Sequence, residues 1–301
     1  MGRELTRRLA ERGDRVTILS RGHASVPSAD VVQWDATTIG DWIDTLEGAD
    51  AIVHLSGRRV DARATRRNID ELISSRVEPV RVVGDAVARC TDPPRLWVQS
   101  GSLAIFGHTD DTPIDESTTP TGIGPREMVT VCLAWESAFA RASASTERAV
   151  LLRMGIGLGG GDTDPATAKL AQLVRVGLGG RIGNGRQWVS WVALDDIMRA
   201  TLLAIDDPTM QGTYHVTSPN PITNADMMAT YRRLLGRRVG LNSPAWLTRL
   251  GAPLLGSSAS LALTGRRALP KRLLEHGFEF HYPNFEGAAR AAIEGIGRAP
   301  R

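Results

Sequence analysis

Polar residues and glycines stand directly after apolar, strand-like runs in the first half of the chain. These residues are Ser20 and Arg21, Asp35, Leu55-Ser56-Gly57, and Ser100. The carboxyl ends of parallel strands line the crevice in which a dinucleotide binds, so the pattern predicts a cofactor site. Arg21 suits a 2′-phosphate through its charge and forked donors, whereas an acidic residue would bind a free ribose 2′-hydroxyl. An ordinary solvated arginine at the start of a loop is the alternative.

Two of these positions deserve separate interpretation. Asp35 could contact an adenine ring, or it could be an ordinary loop aspartate. Gly57 follows Leu55 and Ser56, and it lets the backbone approach a ligand at a point where a side chain would clash.

The chain opens with Met1 and Gly2 and runs straight into a helical stretch, Arg3–Arg12. In a dinucleotide-binding unit, a buried strand and a glycine-rich turn precede this helix, and the turn holds the pyrophosphate at its N-terminus. Gly2 matches the last glycine of that turn, so we expect the strand and the turn to be encoded upstream. Without them, each orphaned buried amide costs about 1–3 kcal/mol, out of a total stability of roughly 5–15 kcal/mol. With Met1 as the true start, we expect weak or absent NADP binding.

Strand-like runs alternate with helical stretches through the first 216 residues. The runs lie near Val16–Ser20, Val31–Trp34, Ala51–Leu55, Arg95–Ser100, Ala149–Arg153, Trp188–Val192 and Gly212–Val216. This alternation predicts an α/β fold with a Rossmann-like, doubly wound parallel sheet. Beyond Pro221 the pattern becomes mostly helical. We therefore expect a nucleotide-binding domain at 1–220, with 155–187 contributing to a substrate lobe, and a small helical C-terminal domain at 221–301.

Several short stretches occur in a specific order along almost the whole chain. They are Ala51-Ile-Val-His-Leu-Ser-Gly57, Ser74-Ser-Arg-Val77, Trp135-Glu136, Leu152-Arg153, Gly183-Asn-Gly-Arg-Gln-Trp-Val-Ser-Trp191, Asp195-Asp196, Ser218-Pro-Asn-Pro221 and Leu269-Pro-Lys-Arg-Leu-Leu-Glu-His-Gly-Phe278. In these stretches the chain resembles extended, atypical short-chain dehydrogenase/reductases. More narrowly, it resembles epimerase-family proteins with a C-terminal domain of unknown function (DUF1731 type). The resemblance implies NADP as cofactor, ahead of NAD.

The resemblance also assigns catalytic positions. Short-chain dehydrogenases use a tyrosine as acid, a lysine four residues later that lowers its pKa, and a serine that orients the substrate oxygen. Counted back from Trp135, the tyrosine position falls on Met128 and the lysine position on Cys132, and neither side chain can replace the family residue. The serine position falls on Ser102. Ser102 could bind the substrate, or it could satisfy local backbone in a turn.

A glycine-containing loop in the second half supplies candidates for substrate contact. Arg186, Gln187 and Trp188 follow this loop, which we expect to face the pocket. Trp188 or Trp191 could stack on a ligand ring, although tryptophans at such positions are more often core residues. Asp195-Asp196 opens a helix, where we expect the carboxylates to cap the amides.

Composition excludes several classes of protein. The chain has 301 residues, a net charge of +3, and arginines scattered among acidic residues, so we expect no nucleic-acid partner. No apolar run is long enough to span a membrane, and we expect no membrane partner. The two cysteines, Cys90 and Cys132, indicate neither a disulfide framework nor a metal site. A cytoplasmic protein is expected.

The leading functional hypothesis is an NADP-dependent oxidoreductase or epimerase that acts on an unknown small molecule. The first alternative is a catalytically inactive NADP-binding sensor or scaffold, and the second is a truncated gene remnant. Two long helices, Ala64–Cys90 and Val129–Ala144, could pair two copies into a homodimer. The sequence does not identify the substrate.

Overall fold

The computed structural model describes residues 1–22, 25–60, 64–120, 126–159, 164–254 and 259–296. Its strands are β1 Thr17–Ser20, β2 Asp30–Gln33, β3 Ala51–His54, β4 Leu96–Ser102, β5 Pro113–Ile114, β6 Arg148–Met154, β7 Ile156–Leu158, β8 Trp188–Val189, β9 Trp191–Ala193, β10 Gly212–Val216, β11 Ile222–Thr223 and β12 Arg267–Ala268. Its α-helices are α1 Gly2–Arg12, α2 Arg66–Val87, α3 Arg126–Ala142, α4 Pro165–Arg175, α5 Leu194–Asp206, α6 Asn224–Leu234, α7 Ala245–Leu254, α8 Ala259–Leu263, α9 Lys271–Glu275 and α10 Phe285–Ile296. Short 3-10 helices cover Asp41–Thr45, Leu103–Phe106 and Ser143–Ser145.

The central sheet is parallel, in the order β10-β6-β4-β3, and β1 and β2 form a second parallel pair. This arrangement confirms the predicted α/β fold with a parallel sheet. Among the described strands no ladder joins the two sheets, so β1 pairs only with β2 and β3 pairs only with β4.

Two hydrophobic cores cover the two faces of the central sheet, because successive strand side chains point to opposite sides. In β4, Leu96 and Val98 belong to the core shared with α1 and α5, and Trp97 belongs to the core shared with α2 and α3. Helices α2 and α3 cross closely. A Cβ atom on Gly84 of α2 would lie 2.6 Å from the Ala142 Cβ of α3, so this crossing requires a glycine.

The predicted strand Trp188–Val192 is wrong in one respect, since it is divided at Ser190 into β8 and β9. The Ser190 hydroxyl donates to the Arg266 carbonyl at 2.7 Å and accepts from the Ala268 amide at 2.9 Å. Ser190 therefore fixes the chain next to β12. The C-terminal segment that makes these contacts lies far away in sequence and was not predicted to lie there.

The C-terminal helices bury a third core against the segment after β6. Buried residues of α6 and α10 pack on Leu158, Val174 and Trp191. The segment before α10 packs on the main sheet domain, because β12 pairs with β5 and Leu273 joins the core that contains Tyr214 and Val216 of β10. The assignment of 155–187 to a substrate lobe and the boundary at 220 stay predictions.

The expected capping role of Asp195-Asp196 is wrong. Helix α5 begins after Ala193 without a side-chain cap. The fully buried Asp196 instead accepts the amides of His281 and Tyr282 at 2.8 and 3.1 Å. Asp195 binds Arg8 of α1 at 2.6 Å. Both carboxylates therefore join distant segments to α5.

Candidate functional site

Arg21 lies exposed just beyond the carboxyl end of β1. Its guanidinium makes no ion pair or hydrogen bond with the rest of the described chain. The neighbouring Ser20 hydroxyl oxygen accepts the Gly22 amide at 3.3 Å and so shapes the turn. An uncompensated guanidinium at this edge of the sheet fits a phosphate group, and a cofactor role for Ser20 and Arg21 stays a prediction.

Asp35 is held by its own loop. Its carboxylate accepts the Thr38 hydroxyl at 2.6 Å and the amides of Thr37 and Thr38 at 2.7 and 2.8 Å. These hydrogen bonds, those from Thr38 first, keep the pKa of Asp35 well below its usual range. The contacts favour the ordinary loop aspartate over the adenine contact, which stays a prediction.

The loop after β3 is supported by an arginine that the sequence did not single out. Arg76 of α2 is buried, and it donates to the carbonyl of Arg58 at 2.9 Å and to that of Leu72 at 3.0 Å. A Cβ atom on Gly57 would lie 3.2 Å from the Arg76 Cζ, so a side chain there would push on the guanidinium. Leu55, before this turn, packs against the sheet core. The only sequence signal for Arg76 was its place in the Ser74–Val77 stretch.

Ser100 and Gly2 have contacts that differ from those of a ligand-binding group. The buried Ser100 hydroxyl donates to the His54 carbonyl at 3.0 Å and so joins β3 to β4. A Cβ atom on Gly2 would meet no atom within 4 Å, so no packing requires a glycine at the start of α1. Ser56 is half-buried two residues beyond the end of β3. Cofactor contacts of these residues stay predictions.

Ser102 lies at the C-terminal end of β4, and its hydroxyl oxygen accepts the Ala104 amide at 3.2 Å. This is the local backbone role that the sequence offered as an alternative. The hydroxyl can still donate its hydrogen to a ligand, since the amide uses only a lone pair. Met128 and Cys132, at the family's tyrosine and lysine positions, are buried one helical turn apart on α3 in a hydrophobic cluster with Leu103.

Two arginines, Arg76 and Arg266, lie close enough to Cys132 for their positive charge to act on its thiol. Burial raises the pKa of the Cys132 thiol to about 12, with Glu136 acting in the same direction, while Arg76, Arg266 and Ser102 nearby act against it. The thiol is therefore neutral and cannot balance the arginines. Arg266 follows α8 and donates through Nε to the carbonyl of Gly107 at 2.9 Å.

Neither Arg76 nor Arg266 has a carboxylate partner within the described ranges, and burial lowers the pKa of both guanidinium groups. Glu136 is not available, because it forms a two-point ion pair with Arg153 at 2.8 and 2.9 Å. Arg76 is buried and Arg266 is half-buried, and two such cations without a counterion among the described residues form a favourable place for an anion. The sequence did not reveal this pair, since the residues lie on α2 and after α8.

The predicted substrate residues have different environments. Arg186 and the indole Nε1 of Trp188 both bind the exposed Asp111, at 3.1 and 2.8 Å. The Arg267 guanidinium carbon also lies over the Trp188 ring, 4.8 Å from the ring centroid. These contacts hold the loop beside the segment after Gly107 and leave the substrate roles of Arg186 and Trp188 as predictions.

Gln187 and Trp191 serve the packing of the lobe. The buried amide of Gln187 donates to the carbonyls of Ile182 and Ala262 at 3.0 and 2.8 Å, so a substrate role gains no support from its contacts. Trp191 is fully buried against Phe285, in the core role that was the alternative to stacking on a ligand. Within the described ranges, no group of three or more His, Cys, Asp or Glu side chains could hold a metal ion.

Comparison with known proteins gives a consistent result. The profile of the NAD dependent epimerase/dehydratase family matches residues 1–217, and that of a domain of unknown function, DUF1731, matches residues 243–292. Epimerase family protein ML0860 of Mycobacterium leprae is 30% identical over 257 residues, covering 85% of this chain and 80% of the relative. A chloroplastic Arabidopsis thaliana homologue of epimerase family protein SDR39U1 is 28% identical and covers 98% of this chain and 84% of its own.

Among solved structures, the crystal structure of human epimerase family protein SDR39U1 (isoform 2) with NADPH superposes with a TM-score of 0.83 at 25% sequence identity, covering 99% of this chain and 96% of the human chain. A nucleoside-diphosphate sugar epimerase from Corynebacterium glutamicum gives a TM-score of 0.66 at 26% identity. The match covers 96% of this chain and 61% of the Corynebacterium glutamicum chain. The resemblance predicted from sequence is confirmed.

Proposed function

Because the chain belongs to the NAD dependent epimerase/dehydratase family, we propose that it is an NADP-dependent oxidoreductase or epimerase of a small molecule that bears an anionic group. The observations that carry the proposal are the positions and charges of side chains at the carboxyl ends of the strands. Arg21 lies just beyond β1 and has no ion pair with a described residue, and Ser102 is the last residue of β4. Arg76 and Arg266 both act on Cys132, as does Ser102. The NADPH in the human relative's structure supports the choice of cofactor.

Each residue has a defined part in this proposal. Arg21 holds the 2′-phosphate, and Leu55-Ser56-Gly57 presents backbone to the nucleotide. Ser102 donates its hydroxyl hydrogen to the substrate oxygen, since its lone pair already accepts the Ala104 amide. Arg76 and Arg266 attract the anionic group of the substrate. When bound, the cofactor would exchange a hydride with the substrate.

The cofactor assignment predicts a selective effect of Arg21→Ala. A hydrogen bond with a charged group contributes about 1.5–3 kcal/mol, so we expect NADPH affinity to fall by roughly 10–100-fold, with NADH affinity unchanged. Calorimetric titration of both nucleotides measures this. The control is Arg15→Ala, because Arg15 is exposed just before the opposite end of β1. An equal loss for both nucleotides would contradict the assignment.

The substrate class predicts a preference that depends on Arg266. NADPH oxidation is followed with pairs of 2-oxo acids and their methyl esters, and we expect the acids to be preferred by about tenfold or more, the worth of roughly 1.4 kcal/mol. Arg266→Gln should remove this preference without changing NADPH affinity. Equal rates with acids and esters would refute the anionic substrate.

The buried Met128 and Cys132 favour a second candidate, the NADP-binding sensor without turnover. Neither side chain supplies the proton donor or the cation that the family uses, and both are part of a hydrophobic cluster. Tight NADPH binding, with no oxidation across the whole panel of acids and esters, would support the sensor over the enzyme.

A further inference from the structure

Two segments, residues 175–181 and 237–250, carry exposed apolar side chains, and we call the surface that they form the basic apolar face. Its large apolar residues are Val176, Leu178, Val239, Leu241, Trp246, Leu247 and Leu250, and their exposed fractions run from 46% for Leu247 to 76% for Val239. Single exposed apolar residues are ordinary, but a group of this size marks an interaction site.

Backbone hydrogen bonds hold the two halves of this face together. The Leu241 amide donates to the Gly177 carbonyl at 2.8 Å, and the Gly180 amide donates to the Leu241 carbonyl at 3.0 Å. A Cβ atom on Gly180 would lie 2.3 Å from the Leu241 carbonyl oxygen, so the two segments touch along their backbones. Helix α7 begins four residues after Leu241 and continues the face.

On α7 the apolar residues share one side. Leu250 lies four residues after Trp246 and three after Leu247, which is the spacing of neighbours on a helix surface, and all three side chains are exposed. A tryptophan beside leucines on an exposed helix is typical of a helix that lies in a lipid interface. None of the described helices is long and apolar enough to cross a bilayer.

The charged residues in the segments that form the face are all positive. Its exposed arginines are Arg175, Arg181, Arg237, Arg238 and Arg249, and none forms an ion pair with another described residue. The chain contains no aspartate or glutamate from 165 to 194 or from 227 to 274. The face therefore combines apolar side chains with a cationic rim.

We propose that the basic apolar face binds the surface of a membrane that contains anionic lipids. Such a surface offers negative charge to the arginines and an apolar interior to Trp246 and the leucines at the same time. A second copy would bring like-charged arginines together, and a nucleic acid would leave the apolar side chains uncovered. The sequence predicted no membrane partner because no apolar run could span a bilayer. That reasoning does not apply to a helix that lies on the membrane surface.

The first test is sedimentation of the full chain with vesicles. We expect binding to vesicles of phosphatidylcholine with 30% phosphatidylglycerol, weak binding to pure phosphatidylcholine, and loss of binding as salt is raised. The triple substitution Arg237→Gln, Arg238→Gln and Arg249→Gln should weaken binding by about 100-fold. The matched control, Arg3→Gln, Arg89→Gln and Arg95→Gln, removes the same charge from exposed positions elsewhere and should have little effect.

The second test locates the contact. Vesicles with brominated acyl chains should quench part of the tryptophan fluorescence of the full chain, and Trp246→Phe should remove that part. Leu250→Ser should weaken vesicle binding, whereas Leu133→Ser, at an exposed leucine on α3, should not. Circular dichroism confirms that each variant is folded.

Three outcomes would overturn the proposal. They are equal binding to neutral and anionic vesicles, quenching that Trp246→Phe leaves unchanged, and no vesicle binding at all. If light scattering shows a dimer that Leu250→Ser abolishes, a second copy covers the face and the proposal is wrong. If the face binds an acidic protein but no vesicle, a protein partner covers it and the proposal is equally wrong. No cofactor is present in these measurements, so their result is independent of the proposed enzymatic function.

Discussion

Acidification from pH 7.5 to 4.5 is expected to lower the free energy of unfolding by about 5 kcal/mol through two buried histidines alone. Burial lowers the pKa of His54 to about 4. Burial, with the charge of Arg153 second, lowers the pKa of His215 to about 3. Both rings are inaccessible to solvent in the fold and accessible in the unfolded chain.

The contacts of the two rings explain these low values. Within the described ranges, neither ring nitrogen of His54 has a hydrogen-bond partner. The Nδ1 atom of His215 lies 3.2 Å from the Leu269 carbonyl, and its Nε2 atom has no partner there. The His215 ring also packs edge-on against Phe106 at 5.3 Å. Protonation would place a charge in apolar surroundings.

The direction of the effect follows from the proton balance. Below about pH 6.5 the unfolded histidines bind protons while the folded ones do not, so stability falls as the pH falls. Each histidine contributes about 1.4 kcal/mol per pH unit until the pH reaches its folded pKa. Stability from these two groups is fully present above about pH 6.5.

Urea unfolding at several pH values measures this dependence. His54→Gln and His215→Gln should each remove about half of the slope between pH 6.5 and 4.5, and the double variant should be nearly flat in this range. A double variant with the slope of the original chain would show that other groups cause the acid sensitivity.

Glu136→Gln is expected to lower the free energy of unfolding by about 3–5 kcal/mol, the usual cost of breaking a buried ion pair. The Arg153 and Glu136 side chains are only 11% and 15% exposed. The substitution would leave the Arg153 guanidinium, stacked at 5.3 Å on Phe106, without its counterion.

Urea unfolding at pH 7.5 checks the Glu136 prediction. The control is Glu286→Gln, because Glu286 pairs with Arg233 and Arg290 on the surface, and its midpoint should not change measurably. Adding Arg153→Met to Glu136→Gln should restore part of the loss, since no unpaired charge then remains buried. No recovery in the double variant would mean that the pair acts mainly by positioning α3 against β6.

Much of the fold could be predicted because it depends on local patterns. Alternating runs such as Ala51–Leu55 and Gly212–Val216 predicted strands close to the observed β3 and β10. Helix α1 ends at Gly13, which takes the left-handed conformation that glycine adopts easily. Short elements such as β5 and β12 were missed, because a two-residue strand exists only through its distant partner.

The residues with the strongest physical effects were the hardest to predict. The sequence by itself predicted the parallel sheet and the positions of Arg21 and Gly57 just after strands, because periodicity is a local property. The family and the position of Ser102 came from the resemblance of short, ordered stretches. Only the tertiary structure decided that Arg76 and Arg266 both act on Cys132, and that segments some sixty residues apart form one basic apolar face. Burial and charge balance depend on which distant segments meet, and no short stretch of sequence carries that information.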